Sequence, residues 1–80
     1  MKPAQKKRIK EIHGKLEEAH QALMEIELEM RDAIEAKSDK WRESETGEAA
    51  ETERSNVEDA MNNTESAFND LGNIEGLFDN

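Results

Sequence analysis

Apolar residues recur in alternating steps of three and four along the first half of the chain. They are Ile9, Ile12, Leu16, Ala19, Leu23, Ile26, Met30 and Ala33. A mean period of 3.5 residues keeps one apolar stripe on the same side of an α-helix, as in helices that pack lengthwise against other helices. The pattern predicts a long coiled-coil-like first helix, from about residue 4 to about residue 37. Pro3 suits its first turn, where the N–H that proline lacks would be unpaired anyway.

The second half of the chain carries a similar stripe with smaller residues. Its members are Ala50, Glu53, Val57, Ala60, Thr64, Ala67, Leu71, Ile74 and Phe78. Met61 and Phe68 widen this stripe on one side. The pattern predicts a second helix, from about residue 47 to about residue 76. Gly72 and Gly76 weaken helicity near its end, so we expect Leu77 to Asn80 to be frayed unless Phe78 docks on a partner.

Between the two stripes lies a predicted connection of about residues 38–46. Lys37 and Lys40 occupy positions where the first stripe would need apolar residues, and Ser38 offers a hydroxyl that competes with helical backbone hydrogen bonds. Either Ser44 or Thr46 can accept a hydrogen bond from the free N–H groups that open the second helix. A connection this short predicts that the two helices run antiparallel.

The predicted fold is therefore all-α, a single helical-hairpin domain over residues 1–80. One hairpin covers each stripe on one side only, and burial of the rest requires further helices. We expect a homo-oligomer, most simply a homodimeric four-helix bundle. Its predicted seam consists of Ile9, Ile12, Leu16, Leu23, Ile26, Met30, Val57, Met61, Phe68 and Leu71.

Composition and charge narrow the possible partners. The 80 residues are 34% hydrophobic and 39% charged, which leaves only a thin core for one chain. Residues 1–15 contain six basic residues and one acidic residue, and since the whole chain has a net charge of −9, the remainder holds −14. An acidic body repels nucleic acid, so nucleic acid is not the expected partner, although the basic arm offers contacts to phosphate or to carboxylates.

Candidate chemistry is sparse. The chain has no cysteine, hence no thiolate metal site and no disulfide, and no apolar run approaches the roughly 20 residues of a membrane-spanning helix. Glu17 and His20 have a spacing used in di-metal bundles, with His13 a further turn back, but the stripe places Ala19 inward and His20 only at its edge. No activated nucleophile or glycine-rich phosphate loop is present. We expect a soluble, cytoplasmic, non-enzymatic protein without metal or cofactor.

The connection holds the one candidate ligand site. Lys40 and Arg42 flank the only tryptophan, Trp41, and Ser44 follows closely. Such a group can stack a base and hold phosphates. The structural interpretation is that Trp41 caps the open end of the bundle, with its ring over the last core layer.

The residues from Trp41 to Glu48, Trp-Arg-Glu-Ser-Glu-Thr-Gly-Glu, resemble the connection in a group of small bacteriophage and prophage proteins. These show an aliphatic or aromatic residue, a polar residue and then Glu-Ser-x-x-Gly-Glu between two acidic helices. The chain differs in having Ser38-Asp39 where many members have a proline. The resemblance implies a phage accessory protein that acts in the host cytoplasm by binding.

Three functions are compatible with these features. The first is a self-associating interaction protein that binds a host or phage protein. The second is an anti-defence protein that sequesters a nucleotide signal at Lys40, Trp41 and Arg42. The third is an acidic DNA mimic, which the basic arm and the plain helical spacing of Glu51, Glu58 and similar residues disfavour.

Overall fold

The computed structural model describes residues 1–78 and contains two long helices with a short one between them. Helix α1 spans Pro3–Glu35, α2 spans Asp39–Glu43 and α3 spans Glu45–Gly72, and no strand occurs in this part of the chain. The molecule measures 57 × 15 × 15 Å, with a radius of gyration of 17.8 Å. A compact domain of this length would have a radius of about 12 Å. The predicted all-α helical hairpin is confirmed.

Helix α1 begins where the sequence predicts and ends slightly earlier. The Lys2 backbone N–H donates to the Gln5 side chain, with 3.2 Å between N and Oε1, and Pro3 occupies the first turn. At the other end the Lys37 N–H donates to the Ile34 carbonyl, which closes the helix two residues before Lys37. Gly14 is exposed, with open space where a Cβ would lie, so the helix passes through it undisturbed.

Eight α1 residues pack on α3, and four of them lie one position later in the sequence than the predicted stripe. The eight residues are Ile9, His13, Leu16, His20, Leu23, Glu27, Met30 and Ile34, all buried or half-buried. Ile12, Ala19, Ile26 and Ala33 are exposed on one flank, so the prediction that Ala19 points inward is wrong. On α3, Arg54 and Met61 take the places expected for Glu53 and Ala60.

Side-chain size and charge explain this rotation. It brings the bulky Phe68 against His13, with ring centroids 4.0 Å apart, and it pairs Glu27 with Arg54 across the helices. The predicted facing would have used alanines, which bury far less apolar area than methionine or phenylalanine. On α3 the larger Met61 and Phe68 therefore turn toward α1, and Ala60 stays outside. On α1 the same rotation leaves Ile12 and Ile26 exposed.

The predicted connection contains the five-residue helix α2, which the sequence analysis did not anticipate. Two serines start the successive helices. The Ser38 hydroxyl accepts from the Trp41 N–H at 3.2 Å, and the Ser44 hydroxyl accepts from the Gly47 N–H at 3.2 Å. Helix α3 thus begins at Glu45, with Ser44 rather than Thr46 as its cap.

The chain turns back after α3 instead of fraying. Gly76 has a φ of 79°, a left-handed conformation that glycine adopts without steric cost. This turn buries Leu77, which is only 1% exposed, and the Leu77 N–H donates to the Ile74 carbonyl. The prediction of fraying is therefore wrong for Leu77. Phe78 is exposed, and Asp79 and Asn80, the rest of that prediction, lie outside the described residues.

Candidate interaction surfaces

A cluster of ion pairs lies along one long side of the hairpin, which we call the charged face. Glu27 is at its centre, with a side chain only 3% exposed. Arg31 donates to Glu27 from the next turn, with 2.6 Å between Nη2 and Oε2, and Arg54 donates to it from α3, with 2.8 Å between Nη1 and Oε1. Arg54 also pairs with Glu51 at 2.7 Å and with Glu58 at 2.9 Å.

These contacts change the protonation behaviour of the cluster. Hydrogen bonds from Arg31, and then from Arg54, hold the pKa of Glu27 below its ordinary value although burial raises it. The hydrogen bond from Arg54 also lowers the pKa of Glu51. Hydrogen bonds to Glu51, Glu58 and Glu27 raise the pKa of Arg54. Among the described residues, every buried side-chain nitrogen and oxygen has a hydrogen-bond partner, so no charge of the cluster is buried unpaired.

The opposite side of the hairpin is built from small and aliphatic residues, and we call it the apolar face. Its α1 residues are Ile12, Ala19, Ile26 and Ala33, and its α3 residues are Ala60 and Ala67. Two grooves show that the two faces are distinct. One contains Ala33 and Glu53, and the other contains Arg31, Glu51 and Arg54. Because Ala60 and Ala67 follow Glu53 in steps of seven residues, they continue along the side of Ala33.

The apolar face exposes large side chains that gain from burial. Ile12 is 49% exposed and Ile26 is 45% exposed. Both are predicted seam residues, as are eight residues that the structure places half-buried between the helices. Those eight are Ile9, Leu16, Leu23, Met30, Val57, Met61, Phe68 and Leu71. The ten predicted seam residues therefore divide into a packed set inside the hairpin and an uncovered pair on its surface.

Both histidines pack against α3. The His13 ring stacks on Phe68 and meets Phe78 edge-on at 5.1 Å, and the Lys10 Nζ lies 5.8 Å from the centre of the Phe78 ring. The His20 Nδ1 lies 3.1 Å from the Met61 carbonyl oxygen, so that nitrogen carries the proton and donates. Within residues 1–78, no group of three or more histidines and carboxylates is arranged to hold a metal ion.

The candidate ligand residues of the connection point in different directions. Trp41 is half-buried in the groove that contains Ala33, and the Lys37 Nζ lies 5.4 Å from its ring centre. Arg42 pairs with Asp39 and lies in the groove of the charged face. Lys40 is exposed. The Ser44 hydroxyl donates to the Trp41 carbonyl and accepts from the Gly47 N–H. The structure therefore separates Trp41 from Arg42, and nucleotide binding stays a prediction.

The sequence analysis missed the Glu27–Arg54 pair, although its signal was present. Arg31 follows Glu27 by four residues, and Glu51 and Glu58 flank Arg54 at three and four residues. Such spacings place opposite charges together on a helix surface. Matching the charged residues of the two predicted helices in an antiparallel arrangement would have indicated this cluster.

Comparisons of the chain with protein-family models, with curated proteins and with solved structures find no match. The resemblance to phage proteins therefore stays a prediction. Over residues 1–78, no helix combines the length and the apolar character needed to cross a membrane.

Proposed function

We propose that this protein is a non-enzymatic interaction module that assembles with copies of itself and binds a protein partner through its acidic outer surface. The observation that supports self-assembly is the apolar face. Ile12 and Ile26 are half-exposed large side chains set among alanines, on a side without the ion pairs of the charged face. Association would remove this aliphatic surface from water. A homodimeric four-helix bundle is the simplest closed arrangement.

The outer surface supports binding to a basic partner. Glu11, Glu18, Glu25 and Asp32 follow each other in steps of seven residues and are all exposed. They form one acidic row along α1, separated from the side that carries Ile12 by the row of Arg8, Lys15 and Glu29. Rows of one charge steer a partner of opposite charge and make association fast and salt-dependent. If the similarity to phage proteins holds, the partner is a host or phage protein with a basic surface.

Sedimentation equilibrium with circular dichroism tests the self-assembly. We expect a strongly helical species at micromolar concentration with a mass of at least two 9.1 kDa chains. A strongly helical monomer under the same conditions would contradict the proposal.

Affinity capture from a host lysate tests whether the acidic row binds a protein partner. The wild type should retain a protein that is released by salt. The variant Glu18→Lys should assemble normally but lose that protein, because Glu18 lies in the middle of the acidic row, off the apolar face and away from both ends of α1. Retention of the same protein by both chains would contradict binding through the acidic row.

A further inference from the structure

We propose that the second copy lies antiparallel on the apolar face, with α1 against the partner's α1 and the two-fold axis at Ala19. This inference rests on the proposed self-assembly and adds its orientation and its contacts. Ile12 and Ile26 each lie seven residues from Ala19. A two-fold axis at residue 19 therefore places Ile12 against the partner's Ile26 and Ala19 against the partner's Ala19. Small residues at the centre of a crossing let two helices approach closely.

The charge distribution along α1 selects the antiparallel arrangement. Residues 1–15 have a net charge of +5. Pairing about residue 19 sets them opposite residues 23–37 of the other chain, which contain five acidic and two basic residues and so carry a net charge of −3. A parallel pair would instead bring the two +5 segments together. The axes of packed helices lie about 8 to 10 Å apart, which is about one Debye length, so the difference between the two arrangements acts on the stability of the dimer.

The charges of the α1 residues that border the apolar face also favour the antiparallel arrangement. Arg8 and Lys15 precede Ile12 and Ala19 by four residues, and Ala22 and Glu29 continue the row in steps of seven. In the antiparallel dimer Arg8 lies beside the partner's Glu29, and symmetry forms this pair twice. In a parallel dimer the partner's Glu29 would lie at the other end of the molecule from Arg8, about 32 Å along the helix axis given a rise of 1.5 Å per residue, so this pair could not form.

Helix α3 leaves room for the second copy. The hydrogen bond between His20 and Met61 fixes the level of the two helices, so that Ala19 and Ala60 are neighbours at the same height. The α3 edge next to them carries Asn56 and Asn63, which are exposed and uncharged. The α3 surface at this level is thus small and uncharged, and neither bulk nor repulsion from α3 opposes a second α1.

Engineered disulfides test the orientation, since the native chain has no cysteine to interfere. Ile12→Cys and Ile26→Cys chains of different mass are mixed, refolded together and oxidised in a glutathione buffer. In the antiparallel dimer a thiol at position 12 faces one at position 26, whereas two thiols at position 12 are about 21 Å apart, given a rise of 1.5 Å per residue. A disulfide requires Cα atoms within about 7 Å.

We expect the mixed disulfide to predominate over either homodisulfide. A predominant homodisulfide at position 12 would overturn the proposal in favour of a parallel dimer. If sedimentation shows a dimer but neither disulfide forms, another face is used, which overturns this inference and leaves self-assembly standing. A monomer by sedimentation would overturn both.

A charge exchange provides a second test with the same sedimentation readout. Arg8→Glu should raise the dimer dissociation constant by about tenfold, because two attractive pairs become repulsive. Adding Glu29→Arg should restore most of the affinity. The matched control adds Glu17→Arg, which lies in the groove on the charged side and should give no rescue. Equal rescue by both would overturn the proposed Arg8–Glu29 pairing.

Discussion

The backbone of Trp41 lies directly on the first turn of α3 at Gly47. A Cβ at position 47 would lie only 2.7 Å from the Arg42 Cα and closer still to the Trp41 carbonyl oxygen, nearer than a real Cβ approaches a heavy atom. The same carbonyl accepts from the Ser44 hydroxyl, and that hydroxyl accepts from the Gly47 N–H. In the Glu-Ser-x-x-Gly-Glu segment, the serine therefore starts α3 and the glycine lets α2 fold onto it.

Gly47→Ala should destabilise the hairpin by about 1 to 3 kcal/mol, as overpacking in a tight contact does. The backbone of α2 must move, because the added methyl group meets main-chain atoms rather than a flexible side chain. Urea unfolding followed by circular dichroism measures the change. Gly14→Ala is the matched control and should stabilise the chain by about 1 kcal/mol, since its Cβ enters open space within a helix. Equal effects of the two substitutions would contradict the contact.

Ser44→Ala should cost about 1 kcal/mol of unfolding free energy, through loss of the cap at the start of α3. Thr46→Ala is the control, because Thr46 was the alternative cap and the Gly47 N–H donates to Ser44 instead. Both variants are compared in the same urea titration. A larger loss for Thr46→Ala than for Ser44→Ala would show that the cap is assigned to the wrong residue.

The sequence predicted the hairpin because three signals are local: the seven-residue pattern, the loss of apolar residues at Lys37 and Lys40, and the helix start at Ser44 or Thr46. It did not predict which flank of each stripe packs inward. That choice depends on pairs far apart in the chain, such as His13 with Phe68 and Glu27 with Arg54. Each helix can pack with either flank of its stripe turned inward, which corresponds to two rotations about its own axis. Only the contacts across the hairpin decide between them.

The end of the chain shows the same limit. Gly72 and Gly76 indicate weak helicity, which is correct, since α3 ends at Gly72. Composition gave no sign that Gly76 would reverse the chain and bury Leu77. For the candidate ligand residues, sequence proximity suggested a common site, but α2 directs Trp41 and Arg42 to opposite grooves.

Acid should weaken the hairpin through Glu27. Its pKa is lower in the folded chain than in the unfolded chain, so its contribution to stability is complete above the unfolded value of about 4.3 and is lost as the pH falls through the folded value. Glu27→Gln removes this ionisation while keeping the shape. We expect the difference in unfolding free energy between pH 7 and pH 3 to be smaller in Glu27→Gln than in the wild type. An unchanged difference would show that the cluster does not depend on the charge of Glu27.

Trp41 fluorescence distinguishes the structural cap from a nucleotide site. We expect no change on addition of cyclic dinucleotides or other nucleotides, because Arg42 is paired with Asp39 and faces away from the groove of Trp41. A fluorescence change that Lys40→Ala/Arg42→Ala abolishes without loss of helicity would contradict the cap interpretation and favour nucleotide sequestration.

The most direct test of self-association through the apolar face compares an isoleucine with a leucine of similar exposure on the same helix. Ile26, on the apolar face, is 45% exposed, and Leu28, two residues further along and away from that face, is 50% exposed. Sedimentation equilibrium is measured for Ile26→Asp and Leu28→Asp at equal concentration, with circular dichroism to confirm that both remain helical. Burial of an unpaired carboxylate in the interface costs several kcal/mol, so Ile26→Asp should be a monomer while Leu28→Asp assembles like the wild type. Equal assembly of both variants would contradict self-association through the apolar face.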